Sequence, residues 1–218
     1  MIVKVCGMCQ ADNIRAVERA GADWIGFIFH SRSPRHVDAL PGYLPTRCKR
    51  VGVFVNADIS FVLHKMKAYG LNLVQLHGAE TSEYCRRLQC CLPPDVGIIK
   101  MIPILTEADL RHTETYIGHV DYFLFETKQR QTAGHYGGSG QKFDWSILDA
   151  YTDSTPFLLT GGISPDDISQ LRAFRHPQLF GIDINSRFET VPGIKDAALV
   201  QRFIAELSEK PEGGEGMI

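Results

Sequence analysis

The chain has 218 residues, enough for one well-buried domain and slightly short for a complete eight-unit barrel. Hydrophobic residues make up 44% and charged residues 22%, which is typical of a globular protein and excludes a disordered chain. The formal net charge of −2 argues against a nucleic-acid-binding protein, and no apolar run is long enough to span a bilayer. Because the N-terminus starts directly with a strand pattern and lacks the features of a signal peptide, we expect a cytoplasmic protein with reduced cysteines.

Apolar strands alternate with helices along the chain. Strands are predicted at 2–6, 24–29, 51–55, 73–76, 96–102, 122–125, 157–159 and 179–184. Helices are predicted at about 12–20, 60–69, 81–89 and 107–116, from 164 onward, and at 196–207, with Asp12, Thr81 and Ser164 as N-caps. The polar, glycine-rich stretch 127–141 is predicted to be a loop that covers a functional site.

This alternation, with no obvious antiparallel strand, predicts a single (β/α)8 TIM barrel over residues 1–209, followed by a disordered tail at 210–218. Strands that are apolar on both faces, such as 24–29, are typical of parallel sheets covered by helices. A doubly wound open sheet would have a glycine fingerprint after the first strand, and Cys6-Gly7-Met8-Cys9 is not one. In a barrel, the residues just beyond each strand share the C-terminal face, where the active site lies.

Polar and small residues at the predicted strand ends therefore converge on one face. With their apolar neighbours, the residues at these ends are Cys6, 29–35 with Arg35, Asn56, His77, Lys100, Glu126, Gly161, Gly162, and 183–186 with Asp183, Asn185 and Ser186. Gly161-Gly162 ends the seventh strand before a serine-capped helix, so its backbone N–H groups can approach an anion closely. Asn185 and Ser186 add donors after the eighth strand, at the frequent phosphate site of this fold. The pattern favours a phosphate site over a simple tight turn.

Cys6 and Glu126 lie at the ends of strands one and six, on opposite sides of the C-terminal face of the barrel, and suit an acid–base pair. A thiol can serve as a base where nearby positive charge lowers its pKa, but most free cysteines are simply small buried hydrophobes. Glu126 is also consistent with a salt bridge to Lys128 or Arg130 at the root of the loop. From the residues alone, both interpretations stay open for each member of the pair.

Two further residues at this face have alternative interpretations. Arg35, after the second strand, is free to fork onto a substrate carboxylate, but an isolated loop arginine is also typical of a solvated charge. Cys6 and Cys9 have the C-x-x-C spacing of redox motifs and metal half-sites. Because no second pair of ligands has that spacing, we expect no metal ion.

Six segments carry patterns that occur together, and in this order, in one enzyme family: KVCGM at 4–8, VGVFVN at 51–56, VQLHG at 74–78, YGGSG at 136–140 followed by FDW at 143–145, LTGGI at 159–163 and PGIKD at 192–196. Along nearly its whole length the chain resembles the phosphoribosylanthranilate isomerases. The resemblance implies a (β/α)8 barrel and a step of tryptophan biosynthesis. That step is the Amadori rearrangement of N-(5'-phosphoribosyl)anthranilate to 1-(2-carboxyphenylamino)-1-deoxyribulose 5-phosphate, and it needs no metal or coenzyme.

The resemblance also implies roles for the residues at the strand ends. Cys6 matches the general base that takes the proton from C2′ of the ring-opened Schiff base, and Glu126 lies where the family has the general acid that protonates the ribose ring oxygen. Arg35 matches the receptor of the anthranilate carboxylate. The other expected substrate-binding residues, which include the phosphate site, are His77, Gly161, Gly162, Asp183, Asn185 and Ser186.

Two positions depart from the family pattern. Glu126-Thr127-Lys128 replaces a triplet that begins with aspartate; the added methylene moves the acid by about an ångström, a misplacement that can cost about 10²-fold in rate. Asn185-Ser186-Arg187 replaces the usual Ser-Ser-Gly, so Arg187 could add positive charge near the phosphate or point outward.

Two other functions are therefore kept open: another phosphosugar isomerase on the same barrel, and a barrel that binds a phosphorylated ligand without activity. Assays with phosphoribosylanthranilate and with an aminoimidazole ribonucleotide would separate the two isomerase functions. The expected partner is a small phosphorylated molecule rather than a nucleic acid or a membrane, and the protein is expected to be a monomer or a homodimer.

Overall fold

The computed structural model describes residues 1–127 and 143–209. Eight parallel strands form a closed barrel in chain order, because β1 pairs with both β2 and β8. The strands are β1 (Ile2–Val5), β2 (Trp24–Ile28), β3 (Lys49–Phe54), β4 (Leu73–Leu76), β5 (Gly97–Ile104), β6 (Tyr122–Thr127), β7 (Phe157–Leu159) and β8 (Leu179–Ile184). The predicted (β/α)8 barrel is confirmed.

The helices pack on the outside of this barrel. Within the described ranges the α-helices are α1 (Ala11–Arg19), α2 (Ile59–Tyr69), α3 (Ser82–Cys91), α4 (Ile168–Ala173) and α5 (Ala197–Ser208). Shorter-pitched 3₁₀ helices occur at Glu107–Tyr116, Trp145–Ala150, Pro165–Asp167 and Ser186–Phe188. None of the described helices combines the length and the apolar character that a membrane span requires.

Most of the predicted helix ends are confirmed. The Thr81 hydroxyl accepts a hydrogen bond from Tyr84 N at the start of α3, and Gly70 ends α2 in the left-handed conformation (φ 54°). The prediction that Asp12 caps the first helix is wrong. Helix α1 already begins at Ala11, and Asp12 lies in the first turn, where a carboxylate favours the helix dipole.

The helix predicted over 107–116 exists, but it is a 3₁₀ helix rather than an α-helix. Thr113 and Thr115 bond their hydroxyls to carbonyl groups three residues earlier, Leu110 O at 2.7 Å and His112 O at 3.4 Å. Threonine side chains that bind nearby carbonyls compete with α-helical hydrogen bonding, which suits the tighter 3₁₀ geometry.

An apolar layer inside the barrel forms the floor beneath the C-terminal face. Its buried members are Trp24, Val51, Leu73, Ile99, Leu124 and Leu158. Because side chains alternate along a strand, the residues two positions further on face the same interior, one layer higher. Polar side chains stand there: Gln75 on β4, Glu126 on β6 and Thr160 after β7. The strand period therefore places several polar side chains above an apolar floor.

A small hairpin outside the barrel was not predicted. Strands β9 (Glu189–Val191) and β10 (Ile194–Lys195) pair antiparallel, against the expectation of parallel strands only. Asn13 of α1 holds the hairpin through two hydrogen bonds of 2.8 Å to the backbone of Lys195. The predicted tail 210–218 and the predicted loop 127–141, apart from Thr127, lie outside the described residues.

Candidate active site

The C-terminal ends of the barrel strands surround a cavity of about 410 Å³. All nine residues expected in the site from the sequence line it: Cys6, Arg35, His77, Glu126, Gly161, Gly162, Asp183, Asn185 and Ser186. Gln75 and Thr160, which were not expected, line it as well. The strand-end rule thus assembles these residues in one place, although their individual roles need further argument.

Asn56 and Lys100, which were also expected at this face, do not line the cavity. Lys100 lies beside Leu76 in the β4–β5 register and faces the outer layer, where its Nζ is 2.9 Å from Glu80 Oε2 and 2.7 Å from Gly78 O. Asn56 accepts a hydrogen bond from Ala79 N, and its own N–H donates to Glu80 Oε1 at 2.7 Å. Both residues belong to a structural network around Glu80.

A fully buried lysine stands beside the expected base. Lys4 has no exposed surface, and its Nζ is 2.6 Å from Asp183 Oδ2, its neighbour in the β1–β8 register. Cys6 lies two residues further along and therefore shares the interior face. Burial raises the pKa of Cys6, and the ammonium of Lys4 is the largest influence that lowers it. The sequence could have predicted this proximity, because Lys4 and Cys6 are two residues apart and therefore lie on the same face of the strand.

Asp183, which lines the cavity, has one unused carboxylate oxygen. Its Oδ2 is bound by Lys4, while Oδ1 is buried and has no hydrogen-bond partner among the residues that the structure describes. Thr160 Oγ1 donates to the Asp183 carbonyl at 2.9 Å and so fixes the backbone rather than the carboxylate. Because buried carboxylate oxygens are nearly always hydrogen-bonded, Oδ1 is suited to accept from a hydroxyl of a bound ligand.

Glu126 lies at the end of a short hydrogen-bond chain. Its Oε2 is 3.0 Å from His77 Nε2, and His77 Nδ1 is 3.1 Å from Gln75 Nε2. With the amide of Gln75 assigned as the donor to Nδ1, the His77 proton is on Nε2 and donates to Glu126. The alternative salt bridges of Glu126 to Lys128 or Arg130 involve residues outside the described ranges. Gln75 was not predicted as a site residue because it lies within an otherwise apolar strand pattern.

The expectation that Arg35 is free is wrong. Its Nε and Nη2 bind Glu189, with Nε 2.8 Å from Oε1 and Nη2 2.6 Å from Oε2. Lys195 contacts the same carboxylate, and its Nζ also donates to Asn185 Oδ1 at 2.6 Å. Burial by itself raises the pKa of Glu189, but the hydrogen bonds from Arg35 and Lys195 outweigh it and lower that pKa. Glu189 and Lys195 were not predicted, although PGIKD had been noted as a motif.

The loop after β7 exposes backbone donors to the cavity. Gly161 and Gly162 have φ values of 94° and 73°, and a Cβ on Gly161 would lie 2.7 Å from Thr127 Oγ1. Neither N–H group donates to a described residue. Ser164, predicted as an N-cap, forms a capping box with Asp167 directly after them. Arg187, in contrast, is exposed and does not line the cavity.

Cys9 has a structural contact rather than a disulfide partner. Its thiol donates to Arg35 O at 3.4 Å, and all six cysteines of the chain are free. Within the part of the chain that the structure describes, no group of three or more His, Cys, Asp or Glu side chains is arranged to hold a metal ion. The C-x-x-C spacing here therefore belongs to a loop that packs Cys9 against the backbone of Arg35.

Comparison with known proteins gives the family. The model for N-(5'-phosphoribosyl)anthranilate (PRA) isomerase matches residues 3–206. The chain belongs to the N-(5'-phosphoribosyl)anthranilate isomerase family. The family predicted from six sequence segments is thereby confirmed.

Relatives in this family match over nearly their whole length. The N-(5'-phosphoribosyl)anthranilate isomerase of Phocaeicola vulgatus is 50% identical over 210 residues, which are 96% of this chain and 99% of that protein. The crystal structure of phosphoribosyl anthranilate isomerase from Thermotoga maritima has 30% identity and a TM-score of 0.77, covering 95% of this chain and 98% of that one. A phosphoribosyl anthranilate isomerase in complex with reduced 1-(o-carboxyphenylamino)-1-deoxyribulose 5-phosphate has 27% identity and a TM-score of 0.74 over the same shares.

Proposed function

We propose that this protein converts N-(5'-phosphoribosyl)anthranilate to 1-(2-carboxyphenylamino)-1-deoxyribulose 5-phosphate in tryptophan biosynthesis, with Glu126 as the general acid and Cys6 as the general base. One observation carries the assignment of roles. A thiol next to a buried ammonium and a carboxyl group bound by a histidine line the same cavity, on strands β1 and β6. Such a pair can give a proton at one point of a sugar and take one at another.

The acid step opens the ribose ring. The proton of Glu126 passes to the ring oxygen, the C1′–O bond breaks, and the nitrogen lone pair forms a Schiff base with C1′. His77 Nε2 donates to Glu126 Oε2, which orients the carboxyl group and leaves Oε1 to hold the transferred proton. This contact also supports Glu126 in place of the family aspartate, because it fixes a longer side chain that would otherwise adopt several rotamers.

The base step moves the proton from C2′. The Cys6 thiolate takes it, the electrons of the C–H bond form an enolamine, and the enolamine becomes the ketone by gaining a proton at C1′ while its C2′ hydroxyl loses one. Lys4 stabilises the thiolate that this step requires, since its ammonium lowers the pKa of Cys6 against the effect of burial. Only protons are moved, so the reaction requires no metal or coenzyme.

The remaining residues hold the substrate. The phosphate binds at the free N–H groups of Gly161 and Gly162, next to Asn185 and Ser186. Asn185 contributes its amide N–H₂, because its Oδ1 is occupied by Lys195. We also propose that Arg35 binds the carboxylate and that His77 and Asp183, which line the same cavity, bind the sugar.

We also propose a cytoplasmic location, which six free cysteines support, two of them exposed and adjacent at Cys90 and Cys91. The described residues of a single chain line the cavity, so the proposed mechanism holds for a monomer and for a homodimer.

The test is the fluorescence change as phosphoribosylanthranilate is consumed. Cys6→Ser and Glu126→Gln are each expected to lower kcat by about 10²–10⁴-fold, the usual contribution of a general acid or base. Glu126→Asp keeps the acid group but moves it by about an ångström, away from His77, so it is expected to lose up to about 10²-fold in kcat and less than Glu126→Gln. Cys90→Ser, an exposed cysteine on α3, is the matched control and is expected to behave as wild type.

The other outcomes are equally informative. Full activity of Cys6→Ser would refute the role of Cys6 as base. A wild-type protein that converts an aminoimidazole ribonucleotide but not phosphoribosylanthranilate would be a different phosphosugar isomerase. A protein that binds the reduced product analogue and converts neither substrate would be a binding protein.

A further inference from the structure

Three charged side chains beside the cavity form a compact cluster: Arg35, Glu189 and Lys195. Arg35 follows β2, whereas Glu189 and Lys195 lie on the β9–β10 hairpin. Glu189 and Lys195 are 5% and 0% exposed, and Arg35, which reaches the cavity, is 16% exposed. The acid–base mechanism uses neither of the hairpin residues.

Glu189 fixes the plane of the Arg35 guanidinium. Its two oxygens bind Nε and Nη2, the fork arrangement that gives arginine–carboxylate pairs their orientation, and Nη1 lies outside this pair. Glu189 itself is held by Gly193 N at 3.0 Å and by Lys195. The guanidinium is therefore attached to a carboxylate that has little freedom to move.

Gly7 fixes the other side of Arg35. Its φ is 76°, and a Cβ there would lie 2.6 Å from Arg35 Cδ, so the arginine stem lies directly over this glycine. Gly7 follows the expected base Cys6 in the chain. The stem of Arg35 therefore packs on the residue next to the base, so the orientation of Arg35 depends on the backbone that carries Cys6.

The cluster keeps a positive charge. Arg35 and Lys195 contribute two cations and Glu189 one anion, so +2 − 1 leaves a formal charge of +1. A lone Arg35–Glu189 pair would be neutral and a poor receptor for an anion. Lys195 restores the charge from a fully buried position, where water does not screen it well.

We infer that Glu189 and Lys195 are positioning residues for recognition of the aromatic carboxylate: Glu189 orients Arg35 so that Nη1 faces the carboxylate, and Lys195 keeps the cluster cationic. This inference rests on the proposed function, which supplies the carboxylate. It assigns specificity for the anthranilate ring to a hairpin that touches no reacting atom.

The experiment measures the affinity of two ligands by calorimetry. One is the reduced product analogue, and the other is the same compound with a plain phenyl group in place of the carboxyphenyl group. The wild-type protein is expected to prefer the carboxylate ligand, and Arg35→Ala to lose that preference. Glu189→Gln and Lys195→Met are each expected to reduce the preference by about tenfold, the size of one charge-assisted hydrogen bond. In Glu189→Gln the affinity for the phenyl ligand should stay unchanged. Lys195→Met also removes the contact with Asn185 at the phosphate, so its readout is the ratio of the two affinities. Arg187→Gln, which removes an exposed arginine near the hairpin, is the matched control and should keep the full preference.

A merely structural role would lower the affinity for both ligands equally, and that result would overturn the inference. So would an undiminished or larger preference in Glu189→Gln. If Glu189→Gln fails to fold, Lys195→Met decides by the same ratio. A wild-type protein that binds neither ligand would refute the proposed function itself, whereas one that binds both equally would refute only the carboxylate site.

Discussion

Two buried lysine–carboxylate pairs lie on different faces of the barrel sheet, one inside the barrel and one outside it. Lys4 and Asp183 face the interior, 2.6 Å apart, and Lys100 and Glu80 face the helix layer, 2.9 Å apart. All four side chains are nearly inaccessible to solvent. By burial and distance alone the two pairs are alike.

The two pairs differ in how many of their polar atoms have hydrogen-bond partners. Glu80 accepts from two backbone N–H groups as well as from Lys100, and Lys100 also donates to Gly78 O. Asp183 leaves Oδ1 without a partner among the described residues, and Lys4 is close enough to influence the pKa of Cys6. The saturated pair is a structural element that ties two loops to β5. In the proposed function a ligand completes the unsaturated pair, and an unused buried acceptor of this kind is typical of a functional site.

The largest effect is expected from breaking the saturated pair. Lys100→Met leaves the Glu80 carboxylate buried without its cation, which should lower the free energy of unfolding by about 3–5 kcal/mol. Urea denaturation measures this loss. The kcat of the folded fraction should stay near that of the wild-type protein, because Lys100 does not line the cavity. A variant as stable as wild type would contradict the structural role.

A smaller effect, and one of a different kind, is expected from the unsaturated pair. Asp183→Asn keeps the shape but replaces one acceptor oxygen with a donor, so kcat/KM should fall by about 10²-fold, the weight of one well-placed polar contact in an active site. Steady-state kinetics measures it. The matched variant Glu80→Gln should instead lower stability and leave kcat/KM nearly unchanged. Equal kinetic losses in both variants would remove the distinction between the pairs.

The same contrast shows what the sequence could predict. The barrel followed from the alternation of strands and helices, and nine of the residues that line the cavity followed from the strand ends, because parallel strands bring those ends to one face. The strand-end rule failed for Lys100 because it ignores the two faces of a strand. Ile99 belongs to the barrel interior, so its neighbour Lys100 must face outward, and the alternation could have corrected this prediction.

The state of Arg35 was beyond local patterns. Its partner Glu189 lies 154 residues away in the chain, on a strand of three residues that pairs with one of two. Segments this short have no measurable period, and their pairing depends on contacts with α1 that form only in the folded barrel. Lys4 was a different case, since its spacing from Cys6 was visible in the sequence.

The pH dependence of kcat/KM in wild type and Lys4→Met tests most directly whether the interior pair serves the chemistry. Burial raises the pKa of Cys6 above its ordinary value, so the thiolate fraction should rise about tenfold per pH unit from pH 7 to 8.5. The acid step also requires protonated Glu126, so kcat/KM depends on both groups and declines at high pH once both are ionised. The pH of that decline reports the pKa of Cys6. Lys4 lowers that pKa, Asp183 raises it and Lys195 lowers it. Removing Lys4 should therefore shift that decline to higher pH and reduce kcat/KM at pH 7, while Lys100→Met keeps the wild-type profile. A Lys4→Met protein that is folded and has the wild-type profile would contradict the account.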